Sequence, residues 1–152
     1  MRRGLCTALL ALAVAPSASA HVDGPGQLGL EWPASGTVTT PFGWTEGRYH
    51  PGLDIGSLDS LTVRAAAPGR VRAVGAPTGF DGYGNVVVVD VLGPFETLYA
   101  HLSTPTVKPG DLVAAGDRLG VAGCTGWCTG THLHFEVRLN GQAVDPMRIP
   151  FR

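Results

Sequence analysis

The sequence has 152 residues, with eleven Lys and Arg against twelve Asp and Glu and a formal charge of −1. That length suits one domain with a proper core. A near-balanced chain with a single lysine, Lys108, and no basic run lacks the electrostatic footprint of nucleic-acid or anionic-membrane binding.

The chain opens Met1-Arg2-Arg3, runs apolar over residues 5–14 and reaches Ala18-Ser19-Ala20. A basic start, a short hydrophobic stretch and small residues predict a secretory signal peptide, residues 1–20, cut after Ala20. The apolar run falls short of the roughly 20 residues of a spanning helix, and Cys6 stands at its start instead of following it, which argues against a lipoprotein. The expectation is an exported chain, periplasmic or extracellular, with nine basic against twelve acidic residues from His21 onward. Residues 21–35 read as an N-terminal leader segment and 36–152 as one domain without internal repeats.

Residues 36–40 suggest a short strand ending at Pro41-Phe42-Gly43-Trp44. His50 and Asp54 are four apart, but Pro51 and Gly52 between them oppose a helix, so His50 belongs to a bend and Asp54 to a strand. Residues 61–67 and 70–76 read as two strands joined at Pro68-Gly69. The valine-rich run 85–92 follows, then 95–102 with Tyr99-Ala100-His101-Leu102. Val107-Lys108-Pro109-Gly110-Asp111 is a turn before short strands near 112–114 and 118–123. Residues 132–139 pair with 143–144 across Asn140-Gly141, a two-residue hairpin signal. Twenty-two glycines and twelve prolines among short apolar runs, with no helical periodicity over three turns, predict an all-β fold. The expected architecture is a single compact antiparallel β-sheet domain with long connecting loops and a metal site in a groove.

Beyond the signal peptide two cysteines remain, in Gly123-Cys124-Thr125-Gly126-Trp127-Cys128-Thr129-Gly130. In an exported chain such a pair reads as a disulfide, contributing about 2 kcal/mol through loop closure and fixing the loop before His132. Two thiolate metal ligands are the rival reading. Of five histidines, His21 reads as a solvated residue, whereas His50, His101, His132 and His134 lie in or beside predicted strand ends. In Thr131-His132-Leu133-His134-Phe135-Glu136, alternation puts His132 and His134 on one face and turns Leu133 and Phe135 into the core. Asp54 interrupts Leu53-Asp54-Ile55, where a carboxylate is costly to bury unless paired or bound to a cation. Two histidines, one carboxylate and an open fourth position are the donor set of a catalytic zinc site, with further histidines for proton transfer. These residues leave open which of His132 and His134 binds metal. Glu136 reads as a surface or hairpin-partner charge. Phe42, Trp44, Tyr83, Tyr99 and Trp127 suit core or turn packing, with Tyr83 and Trp127 equally suited to a groove. Arg48 and Tyr49 read as gate or surface residues.

At this point a resemblance enters. His50-x-x-x-Asp54 together with His132-x-His134 resembles the signature of the lysostaphin-like (LytM-type) zinc metalloendopeptidases, which cut peptide bonds in peptidoglycan. Residues 38–56, Pro68-Gly69-Arg70-Val71, Gly82-Tyr83-Gly84-Asn85, Tyr99-Ala100-His101-Leu102, Val107-Lys108-Pro109-Gly110-Asp111 and residues 129–136 resemble that family's blocks in order, covering 36–147. An HxH alone is a weak signal; the ordered set is strong. The resemblance implies His50, Asp54 and His134 as ligands of one Zn2+ per chain. It makes His101 and His132 the catalytic histidines beside a zinc-activated water, with His132 favoured as base and the other hydrogen-bonding the oxyanion. No HExxH helix is present to supply a glutamate base. Thr131 replaces a common proline and Cys128 a common serine. The implied partners are peptidoglycan stem or bridge peptides, with no nucleic acid and no stable membrane insertion. Two other classes compete. A non-catalytic peptidoglycan-binding or hydrolase-activating relative would have lost ligands that this chain keeps. A structural zinc or small-molecule-binding β domain would close its site with four protein ligands.

Overall fold

A computed structural model describes residues 28–152, so the expected signal peptide lies outside the described residues. The strands are β1 (Thr37–Thr40), β2 (Gly43–Thr45), β3 (Arg48–His50), β4 (Leu53–Gly56), β5 (Thr62–Arg64), β6 (Gly69–Gly75), β7 (Asn85–Asp90), β8 (Phe95–Pro105), β9 (Leu112–Val113), β10 (Arg118–Ala122), β11 (Leu133–Leu139) and β12 (Gln142–Val144). A ten-stranded sheet runs β1-β4-β11-β8-β7-β6-β9, with β12 on β11 and β10 bridging β8 to β5, while β2 and β3 form their own two-stranded sheet. The paired strands are antiparallel, so the predicted all-β sheet is the fold.

Alternation builds the interior. Val87 and Val89 of β7, Tyr99 of β8 and Leu133, Phe135 and Val137 of β11 enter one large core, whereas Val86, Val88, Leu98 and Ala100 form a smaller cluster under Phe80 and Tyr83. The valine run of β7 is thus buried on both faces, which explains why it reads as continuous apolar sequence and not as an alternating strand. On β11 the residues between the core positions are His134, Glu136 and Arg138, and they share the face of the smaller cluster. The sheet therefore separates a packed side from a chemical side.

Two sequence expectations change. Residues 61–67 and 70–76 do not make a strand pair: β5 stops at Arg64 and pairs with β10, and Ala65, Ala66 and Ala67 are buried. The Ala66 N–H donates to the Tyr99 hydroxyl at 2.7 Å, a tertiary bond that replaces a ladder. The described part of the leader also joins the core. Leu28, Leu30 and Ala34 are buried, Leu30 bridges Phe151, and Trp32 meets Phe151 edge-on at 4.8 Å. Among the described residues no helix is long and apolar enough to cross a membrane.

Candidate metal centre

Strand register brings the first donors together. On neighbouring strands His134 of β11 stands opposite Asp54 of β4, flanked by Leu133–Ile55 and Phe135–Leu53 pairs that face the core. His50 ends β3, and the chain must then pass tightly over β11. A Cβ on Gly52 would sit 2.9 Å from Glu136 Cγ and 3.0 Å from His134 Cε1, so glycine is what permits the approach. His101 arrives differently. Between Tyr99–Val87 and Leu102–Asn85, β8 has one residue more than β7, a bulge in which His101 takes φ +60°. The bulge turns its side chain toward the site, as bulges beside active sites do.

Three donor atoms converge. Asp54 Oδ1 lies 3.1 Å from His50 Nε2 and 2.8 Å from His134 Nδ1, and these two nitrogens are 3.0 Å apart. Together they can hold a metal ion. Tetrahedral zinc with bonds near 2.0–2.1 Å spaces its ligands about 3.4 Å apart, so the sides of this triangle are about 0.3–0.6 Å short and a small outward movement of the rings fits the ion. The outward nitrogens are occupied as such a site needs. His50 Nδ1 donates to the Pro41 carbonyl at 2.8 Å, and His134 Nε2 donates to Glu136 Oε1 at 2.9 Å. Both rings are left with a lone pair aimed at the Asp54 carboxylate. Three lone-pair atoms at such distances repel unless a cation or a proton lies among them. The electrostatics agree. Burial alone would raise Asp54, but the neighbouring His134 and His50 hold its carboxyl well below the usual range. Burial alone would lower His134, but Asp54 and Glu136 raise it.

Glu136 is not a surface charge. It is fully buried, and it receives His134 Nε2, Arg138 Nε at 2.6 Å and the Tyr83 hydroxyl at 2.6 Å. Burial pushes its carboxyl up, yet His134 and Arg138 outweigh burial and keep it ionised. Burial and the Glu136 charge together raise Tyr83 above the ordinary phenol range, so it stays a donor. Alternation places Glu136 and Arg138 on the face of His134, as it does His132; burial of the charge is what alternation does not give.

His132 and His101 complete the cluster. His132 Nε2 lies 3.6 Å from Asp54 Oδ1, and the His101 ring is 4.8 Å from that of His132 and 5.8 Å from that of His134. Both rings donate from Nδ1 to loop carbonyls, His101 to Thr125 at 2.8 Å and His132 to Gly130 at 2.7 Å. Burial keeps the His101 pKa low, against the weaker pull of its Thr125 bond. Cys124 and Cys128 are joined in a disulfide, with Cα atoms 5.5 Å apart, so they are not thiolate ligands. The histidines floor a groove of about 840 Å³ whose walls include Tyr49, Tyr83 and Trp127; Tyr99 lies in the core instead.

A model of peptidase family M23 matches residues 48–146. The chain belongs to that family. The lysostaphin-type resemblance of its ordered motifs is thereby borne out, and all five site residues fall inside the matched stretch. The M23 relatives differ in what they are named for. DD-carboxypeptidase/endopeptidase Mpg of Neisseria meningitidis serogroup B is 38% identical over 74% of this chain and 26% of its own length. Murein hydrolase activator NlpD of Escherichia coli K12 is 37% identical over 77% of this chain and 30% of its own. This chain therefore spans about a quarter to a third of these relatives. Among solved structures, a zinc-containing peptidase from Vibrio cholerae matches with a TM-score of 0.70 at 30% identity, over 82% of this chain and 41% of that one. The catalytic domain of the antimicrobial peptidase lysostaphin from Staphylococcus simulans matches at 0.61 and 30% identity, over 78% of this chain and 89% of that domain.

Proposed function

We propose that this protein is an exported zinc metalloendopeptidase that hydrolyses peptide crosslinks of bacterial peptidoglycan. The observation that carries this reading is the convergence of His50 Nε2, Asp54 Oδ1 and His134 Nδ1 within about 3 Å, beside two further imidazoles that bond elsewhere through Nδ1. His50, Asp54 and His134 hold the ion, and three protein ligands leave the open position that distinguishes a catalytic from a structural site. Zinc in that site supplies Lewis acidity, which acidifies water to a pKa near 7 and polarises the scissile carbonyl.

The chain's own residues handle the proton. Each of His101 and His132 donates from Nδ1, so in the neutral ring Nε2 is a lone pair facing the groove. His132 Nε2 takes the proton of the attacking water, becomes an imidazolium 3.6 Å from the Asp54 carboxylate, and returns the proton to the leaving amine. The oxyanion role expected for the second histidine needs a proton on Nε2. Burial disfavours that form of His101, which makes it better suited to accept a hydrogen bond from the water and aim it.

The second reading, a hydrolase activator, rests on the likeness to NlpD. The discriminating experiment incubates purified peptidoglycan with the protein and measures newly released free amines, with and without chelator and with zinc restored, identifying fragments by mass. Chelator-sensitive, zinc-restored release supports the peptidase and names the bond. Folded, zinc-loaded protein that releases nothing from several wall types moves the assignment to the activator.

A further inference from the structure

The two imidazoles outside the metal triangle owe their orientation to one loop. Thr125, whose carbonyl takes His101 Nδ1–H, lies inside the five-residue ring that Cys124–Cys128 closes. Gly130, whose carbonyl takes His132 Nδ1–H, is two residues beyond that ring, and Cys128 Sγ lies 3.5 Å from that same carbonyl oxygen. The remaining supports of the loop are hydrogen bonds to its neighbours. The Thr125 hydroxyl donates to the Leu102 carbonyl at 2.8 Å and accepts from Asn85 N–H at 2.9 Å, while Trp127 N–H donates to the Gly82 carbonyl at 2.7 Å. Trp127 rests on Gly82 and is otherwise open to the groove and solvent, 84% exposed, so its packing adds little to these bonds. The loop over residues 123–131, with three glycines and three threonines, has no other covalent restraint.

We propose that the Cys124–Cys128 disulfide is a positioning device for hydrolysis, fixing the Thr125 and Gly130 carbonyls that keep His101 and His132 in the Nδ1–H tautomer with Nε2 toward the groove. The proposal rests on the peptidase reading and goes beyond it, because it makes turnover depend on a crosslink that touches no metal ligand. Without the crosslink the carbonyls move. Each ring then samples the other tautomer, whose Nε2–H blocks proton uptake from water. The metal triangle is held independently, by Pro41 and Glu136, and keeps its ion.

The test compares zinc-loaded wild type with the double variant Cys124→Ser, Cys128→Ser. Zinc content, kcat and KM are measured, along with the histidine tautomers from ¹⁵N chemical shifts of the ring nitrogens. The expected result is one zinc retained, kcat lower by about ten- to hundredfold, as misplaced catalytic groups cost, KM little changed, and mixed tautomers for the His101 and His132 rings alone. Unchanged kcat and unchanged tautomers in a folded variant overturn the proposal; so does loss of zinc in step with activity, which would make the crosslink a structural brace. Should the double variant not fold, folded wild type reduced with a phosphine that does not compete for zinc gives the same readouts. Wild type that releases no amines defeats the peptidase reading instead, and the tautomer spectra still report separately on whether the crosslink sets the rings.

Discussion

At the residue scale the proposed site divides into atoms that would hold the ion and atoms that hold those atoms. His134→Ala removes one corner of the triangle and leaves Glu136 with a buried charge and one partner fewer; the expected result is loss of both zinc and wall hydrolysis. His132→Ala touches no corner, so zinc content should match wild type while amine release disappears. Retained hydrolysis in either variant would undo the assignment. Glu136→Gln is subtler. The amide oxygen can still accept from His134 Nε2, but it carries no charge to strengthen that ring as a donor. Zinc affinity should fall by about 10–100-fold, the usual cost of losing a partner behind a ligand, and chelator competition measures it. Much of this site was legible in the sequence. The four histidines beside strand ends and the carboxylate inside Leu53-Asp54-Ile55 are outliers of residue type that only chemistry explains. The Pro41, Thr125 and Gly130 carbonyls were not legible, because a backbone oxygen has no residue type to give it away. Glu136 departs from the surface charge expected of it because a charged residue near a hairpin is ordinarily solvated, whereas this one is buried behind His134.

At the element scale, strands with alternating or continuous apolar runs were predictable, and β7, β8 and β11 lie close to where the pattern puts them. What failed was pairing. Pro68-Gly69 looks like a hairpin turn, yet β5 leaves its sequence neighbour for β10, a long-range choice that the local signal does not contain. Past the end of β5, Tyr99 takes over the bonding of the segment. Its hydroxyl is buried, accepts from Ala66 N–H and donates to Thr97 Oγ1 at 3.1 Å, beside the buried Ala65, Ala66 and Ala67. Burial pushes that hydroxyl up to about 12, offset in part by Thr97 and Ala66. Tyr99→Phe would leave the Ala66 N–H buried without a partner. The expected cost is about 1–3 kcal/mol in denaturant unfolding, with zinc content and kcat unaffected. A second element-scale prediction concerns the contact between loops 82–85 and 124–127. Gly84 has φ +64°, and a Cβ there would overlap the Thr125 backbone. Gly84→Ala should therefore cost about 1–3 kcal/mol. Unlike Tyr99→Phe it should also lower kcat, since Thr125 carries the His101 acceptor.

At the scale of the whole molecule the metal site is a junction. Asp54 and His134 belong to adjacent strands of the large sheet, whereas His50 belongs to the β2–β3 hairpin, which has no ladder to that sheet. Among the named contacts, His50 is where the hairpin meets the triangle, with its ring 4.9 Å from that of His134. An ion bound there ties the hairpin to the sheet, and three repelling lone pairs become three bonds. Ligand linkage sets the size of the effect. Free zinc at a hundredfold its Kd stabilises the folded state by about 2.7 kcal/mol, worth roughly 10 °C in Tm for a domain of this length. Chelation should lower Tm by about that much, reversibly, and His134→Ala should show no zinc-dependent shift at all. The loss should also be local. Hydrogen exchange after chelation should speed up at the β2–β3 amides, residues 43–50, well before the β7, β8 and β11 amides, because the large sheet keeps its core while the hairpin loses its tether. Uniform acceleration across both sheets would mean that the ion stabilises the domain as a whole and that the hairpin is held by something other than His50.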